Sequence, residues 1–109
     1  MTAMTDALVV LTAFADEASA RDVTRQLVER GLVACVNLLP GATSIYRWKG
    51  EVCEESEVLA FLKNTTENYP ALEKALQELH PYEEPEIIAL DITAGSEGYL
   101  AFLRGTAGV

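Results

Sequence analysis

The sequence predicts an α/β fold of the α+β kind, a ferredoxin-like split βαβ sandwich with element order β-α-β-β-α-β and one further C-terminal helix. Three observations carry this. Four apolar, β-branched runs of strand length recur along the chain, and two segments with helical apolar spacing separate the first run from the second and the third from the fourth. Between the second and third runs, Lys49-Gly50 is a tight turn, so those strands form a long hairpin.

Ala7 to Ala13 is a continuous apolar run suited to a strand covered on more than one side. Asp16 offers an N-cap carboxylate, and Ala20, Val23, Leu27 and Val28 then recur at helical spacing before Gly31, predicting a helix over Glu17 to Arg30. The second strand covers Val33 to Leu39, stops at Pro40-Gly41, and resumes over Thr43 to Trp48. The third covers Glu51 to Thr65. Its first half is too polar for a core, whereas Val58 to Leu62 is core-like, so the hairpin projects beyond the domain with Trp48 at its tip. Thr66 is positioned to cap a second helix with Pro70 in its first turn, Leu72, Ala75, Leu76 and Leu79 as its apolar stripe, and His80-Pro81 as its end. A fourth strand covers Glu86 to Thr93, Gly95-Ser96 introduces the last helix, and the tail frays from Gly105. With both main helices on one sheet face, the other face is left uncovered and apolar, and other copies of the chain are expected to cover it.

A length of 109 residues argues for one domain over 1–109, marginal alone and helped by a partner subunit. Half the residues are hydrophobic and the mean hydropathy is +0.13, which again favours burial between subunits. A formal charge of −9 argues against nucleic acid and against anionic membrane surfaces as partners. No basic leader precedes the first apolar run and no segment has spanning length, so the expected location is cytoplasmic, with Cys35 and Cys53 both reduced.

Three segments are identifiable together: Ala34-Cys35-Val36-Asn37, Tyr46-Arg47-Trp48-Lys49-Gly50-Glu51, and His80-Pro81-Tyr82-Glu83-Glu84-Pro85-Glu86-Ile87. In this order, and over about Leu8 to Leu103, they resemble the CutA family of divalent-cation tolerance proteins. The resemblance implies a tight homotrimer in which the long hairpin enters an inter-subunit sheet. It also implies an architecture similar to the PII signalling proteins, which bind small molecules at trimer clefts. Copper, as Cu(II), or another divalent cation is the implied ligand, with no cofactor required. The chain departs from the family's pattern at Glu84, where an apolar residue is usual.

Thiolate and imidazole donors suit a soft transition metal, and only Cys35, Cys53 and His80 supply them. The candidate metal set is Cys35, His80 and Glu83; the structural alternatives are a packed strand cysteine and a histidine serving the helix end. Cys53 is expected to be the more exposed thiol. Lys63, Tyr82 and Glu83, with Tyr46 and Trp48, can line an inter-subunit cleft for a small anion or metabolite. Tyr46 and Trp48 otherwise read as trimer-interface residues, aromatics being common interface anchors. No nucleophile elbow, phosphate loop or second histidine is present, and the expectation is a protein that is not an enzyme. The reading is a divalent-cation tolerance trimer; the alternative is a PII-like sensor binding a small molecule between subunits.

Overall fold

The computed structural model describes residues 5–106. Its elements are β1 (Ala7–Phe14), α1 (Glu17–Glu29), β2 (Cys35–Trp48), β3 (Glu51–Thr65), α2 (Tyr69–Leu79), β4 (Ile88–Asp91) and α3 (Glu97–Thr106). The four strands form one antiparallel sheet in the order β2-β3-β1-β4, the ferredoxin-like arrangement predicted. No described helix is long and apolar enough to cross a membrane.

Helix α1 starts where the Asp16 carboxylate accepts the Ser19 N–H at 2.8 Å. That bond holds the Asp16 carboxyl below its ordinary pKa. The helix closes in a Schellman turn: Leu32 N–H reaches the Leu27 carbonyl, Gly31 N–H reaches Val28, and Gly31 takes a φ of 73° that favours glycine. At the hairpin tip Lys49 and Gly50 have φ of 51° and 83°, the pair of left-handed residues a type I′ turn needs.

Side-chain alternation follows the register. Val10 and Phe14 on β1 and Val58, Ala60 and Leu62 on β3 lie under α1 and α2, closing a core with Leu27, Val33, Leu72 and Leu76. The opposite face carries Leu11, Leu59 and Phe61, together with the exposed Leu39, Ile88 and Leu90. Helix α3 packs against β1 and β3, bringing Tyr99 Oη within 3.4 Å of Lys63 Nζ and burying Leu103. The rest of that face is open in the single chain, as its apolar composition had suggested.

Four details differ from expectation. Pro40-Gly41 does not end a strand. It forms a bulge within one 14-residue strand, because the register passes from Leu39↔Leu59 to Ala42↔Glu57 with one extra residue on β2, and Gly41 takes a φ of 83°. Strand β4 has four residues rather than eight, since its pairing is confined to Leu8–Leu11 of β1. The cap of α2 is Asn68 rather than Thr66, whose carbonyl instead accepts a turn bond from Tyr69. Finally, Gly105 and Thr106 belong to α3, so the fray expected from Gly105 does not start there; its remainder lies outside the described residues, as do residues 1–4 of the stretch read for a leader.

Strand β1 pairs with β3 only from Val58 onward, so Glu51–Glu57 pair with β2 alone and the ribbon extends past the sheet. Trp48 stands at its end, half exposed, with Ile45 and Val52 more exposed still.

Candidate functional site

The bulge and the end of α2 together build the candidate site. Beyond Gly41 the even-numbered residues Ser44, Tyr46 and Trp48 share a face with Cys53, Glu55 and Glu57 of β3. At the other side, α2 stops at His80, whose backbone turns extended at ψ 133° ahead of Pro81, and the loop over 81–87 runs alongside. Between ribbon and loop lies an open groove of about 780 Å³.

His80 anchors the loop. It is 6% exposed, stacked on Phe14 with ring centroids 4.4 Å apart and planes 10° from parallel. Its Nε2 lies 2.7 Å from the Ala13 carbonyl oxygen and its Nδ1 accepts the Tyr82 N–H at 3.1 Å. Only the neutral tautomer protonated on Nε2 satisfies both bonds. Burial pushes the imidazole below its ordinary pKa of 6.5, against the opposing pull of the Ala13 carbonyl and Glu57.

Two tyrosine–glutamate pairs line the groove. Tyr46 donates its hydroxyl to Glu55 and Tyr82 donates to Glu57, each at 2.6 Å. The bond to Glu55 raises the Tyr46 phenol to about 12, because ionisation would remove the donor and place a second anion beside the carboxylate. Tyr82 is raised further, by burial first and then by Glu57. Trp48 completes the aromatic wall, and Glu83, Glu84 and Glu86 add carboxylates from the loop. Among the described residues the lining contains no Lys, Arg or His, so within one chain the charge of the groove opposes an anionic ligand.

The predicted metal donors are not gathered within one chain. Cys35 pairs in register with Lys63, level with Val9, whereas His80 sits at Ala13, roughly 13 Å further along the sheet at ~3.3 Å per residue. Glu83 stays with the loop, and the two His80 nitrogens face backbone groups. Among the described residues no three His, Cys, Asp or Glu side chains are arranged to hold a metal ion. Cys35 Sγ lies 3.9 Å from Asn37 Oδ1, and both Cys35 and Cys53 are free thiols that are partly buried. Of the predicted cleft residues, Tyr82, Glu83, Tyr46 and Trp48 come together, while Lys63 lies six residues from Glu57 along β3 and engages Tyr99 instead. Sequence reading missed Glu55 and Glu57; alternation along β3 places them with Cys53, the hairpin register brings Tyr46 to Glu55, and Tyr82 reaches Glu57 from the loop after α2.

A family model for the CutA1 divalent ion tolerance protein matches residues 8–106. The divalent-cation tolerance protein CutA of Thermus thermophilus is 49% identical over 100 residues, covering 92% of this chain and 97% of that protein. The solved Cut A1 structure from the same organism superposes with a TM-score of 0.91 at 48% identity, covering 94% of this chain and 99% of that one. A CutA structure from Archaeoglobus fulgidus, described as periplasmic, has the same fold at 24% identity and a TM-score of 0.89, covering 93% and 98% of the two chains. Matched along nearly its whole described length in sequence and in fold, the chain belongs to the CutA1 family of divalent ion tolerance proteins.

Proposed function

We propose that the chain acts in the cytoplasm as a non-enzymatic, homotrimeric divalent-ion tolerance protein whose cation donors are completed between protomers rather than within one. The observation that carries this is the exposed apolar surface: Leu39, Ile88 and Leu90 on the uncovered sheet face, and Ile45, Trp48 and Val52 on the projecting ribbon, all lie between 47% and 69% exposed. Large apolar side chains exposed to this extent on both the sheet face and the ribbon mark protein interfaces. The separation of Cys35 from Glu83 is consistent with donors contributed by more than one chain. His80 has both nitrogens engaged with backbone, which leaves no lone pair for a metal ion and no free nitrogen for acid–base catalysis, so its part is to hold the loop.

Native mass spectrometry of untagged, chelator-treated protein during a copper titration, with zinc as control, tests the reading. The expected result is a trimer that takes up copper saturably in steps of three and loses that uptake in Cys35→Ser. A monomer, or a trimer with only unsaturable adducts, overturns it.

A second reading is a PII-like sensor that binds a small molecule where the ribbon meets its neighbours. It is favoured by the groove itself, whose volume of about 780 Å³ and aromatic walls suit a small organic ligand.

A further inference from the structure

We propose that the groove between the ribbon and the loop over 81–87 binds an elongated organic cation, a linear aliphatic polyamine being the class that fits. The proposal rests on the second reading above and assigns its ligand.

Hydrogen-bond inventory comes first. Ionised carboxylates only accept, and five of them line the groove: Glu55 and Glu57 from β3, and Glu83, Glu84 and Glu86 from the loop. The two tyrosine hydroxyls have already given their protons to Glu55 and Glu57, leaving only oxygen lone pairs. Apart from the Ser44 hydroxyl and the Trp48 indole N–H, the polar side chains of the groove therefore accept and do not donate. A complementary ligand is dominated by donors, as an alkylammonium chain is.

Distribution of charge then separates an organic cation from a bare metal ion. A hard divalent ion requires about six oxygens converging at roughly 2–2.6 Å. Here the carboxylates stand on two opposing walls, and no three of them converge as a metal site among the described residues. Several ammonium groups spaced along a chain can meet such acceptors one at a time. The methylene spacers between them find Tyr46, Trp48 and Tyr82, whose ring faces attract cations as well as covering alkyl chain. The molecule contains an example of this contact: the Lys49 ammonium stands 5.9 Å from the Trp48 ring centroid.

Isothermal titration calorimetry of the full chain with spermidine, at constant ionic strength and with magnesium chloride as the control, tests the assignment. The expected result is saturable binding of one molecule per protomer. It should weaken about tenfold in Glu83→Gln/Glu84→Gln, at about threefold for each screened charge contact. Both glutamates are exposed, so the fold is not at stake. Glu29→Gln/Glu78→Gln, which removes the same charge from exposed helix positions, should leave binding unchanged. Equal weakening in both double variants, or displacement by magnesium at matched ionic strength, reduces the effect to counterion attraction and overturns the proposal. If spermidine fails while a neutral metabolite stabilises the wild type but not Trp48→Ala, the groove remains a ligand site and the polyamine assignment falls. If no organic ligand acts through Trp48, both fall.

Discussion

His80→Phe isolates what the buried histidine contributes. Phenylalanine keeps the ring, the volume and the stack on Phe14, and removes only the two polar contacts. The Ala13 carbonyl, in a residue 5% exposed, loses its donor, at a cost of about 1–3 kcal/mol. The Tyr82 N–H is partly accessible to water, so its loss is taken as about 1 kcal/mol. The expected destabilisation is therefore about 2–4 kcal/mol, read as a shift of the urea midpoint at constant slope and fixed protein concentration. The pH dependence supplies a second readout from the same pair of proteins. In the unfolded chain the imidazole takes a proton below about 6.5, while the folded, buried ring resists until lower pH. The unfolded state thus binds more protons across that window, and wild-type stability falls as pH drops from about 7 towards 5. This is the chain's only histidine, so the variant lacks that component and the gap between the two proteins narrows on acidification. A loss below about 0.5 kcal/mol, or a gap independent of pH, would refute the argument, since either outcome means that His80 does not clamp the loop to β1.

Other expectations follow from the same geometry. Leu76→Ala, at a fully buried position between helix and sheet, should cost about 2–5 kcal/mol in the same denaturation assay. Glu55→Gln should bring the Tyr46 phenol from about 12 back towards 10.0, visible as earlier phenolate absorbance in an alkaline ultraviolet titration; an unchanged curve would mean that the hydrogen bond does not form in solution. Deleting the ribbon tip, Tyr46 to Glu51, should give monomer or aggregate by light scattering after gel filtration, and a normal trimer after that deletion removes the ribbon from the interface.

The elements that sequence made legible are those specified by local chemistry. Asp16 and Gly31 bracket α1 because a carboxylate cap and a left-handed C′ residue act within one turn. Lys49-Gly50 marks the hairpin for the same reason. Pro40-Gly41 has equally strong local chemistry and misleads: a proline without an N–H and a glycine at positive φ are the ingredients of a strand end and of a bulge alike, and the choice is made by continued pairing with β3. Strand β4 is overestimated because its flanking apolar residues extend past the stretch of β1 available to it. In the site, Tyr46, Trp48, Tyr82 and Glu83 were legible as a set, but the bond from His80 to Ala13 spans 67 residues of chain and nothing local announces it. The donors proposed for a metal share chemistry without sharing a place, since spacing along the chain does not reveal that Cys35 and His80 occupy different ends of the sheet.

The extra residue at Pro40-Gly41 is absorbed by the bulge without disturbing the faces of the ribbon. Before it, odd-numbered residues of β2 share a face with Leu59; after it, even-numbered ones do, because Ala42 and not Gly41 stands opposite Glu57. Remove one residue there and the same partners still meet in a regular ladder, so Tyr46 and Trp48 keep their wall and Ile45 and Arg47 stay on the other side. What such a deletion takes away is the local bend and added twist of a bulged strand. Related chains that differ in length at this joint are therefore expected to keep the chemistry of the groove and to change the direction in which the ribbon carries it.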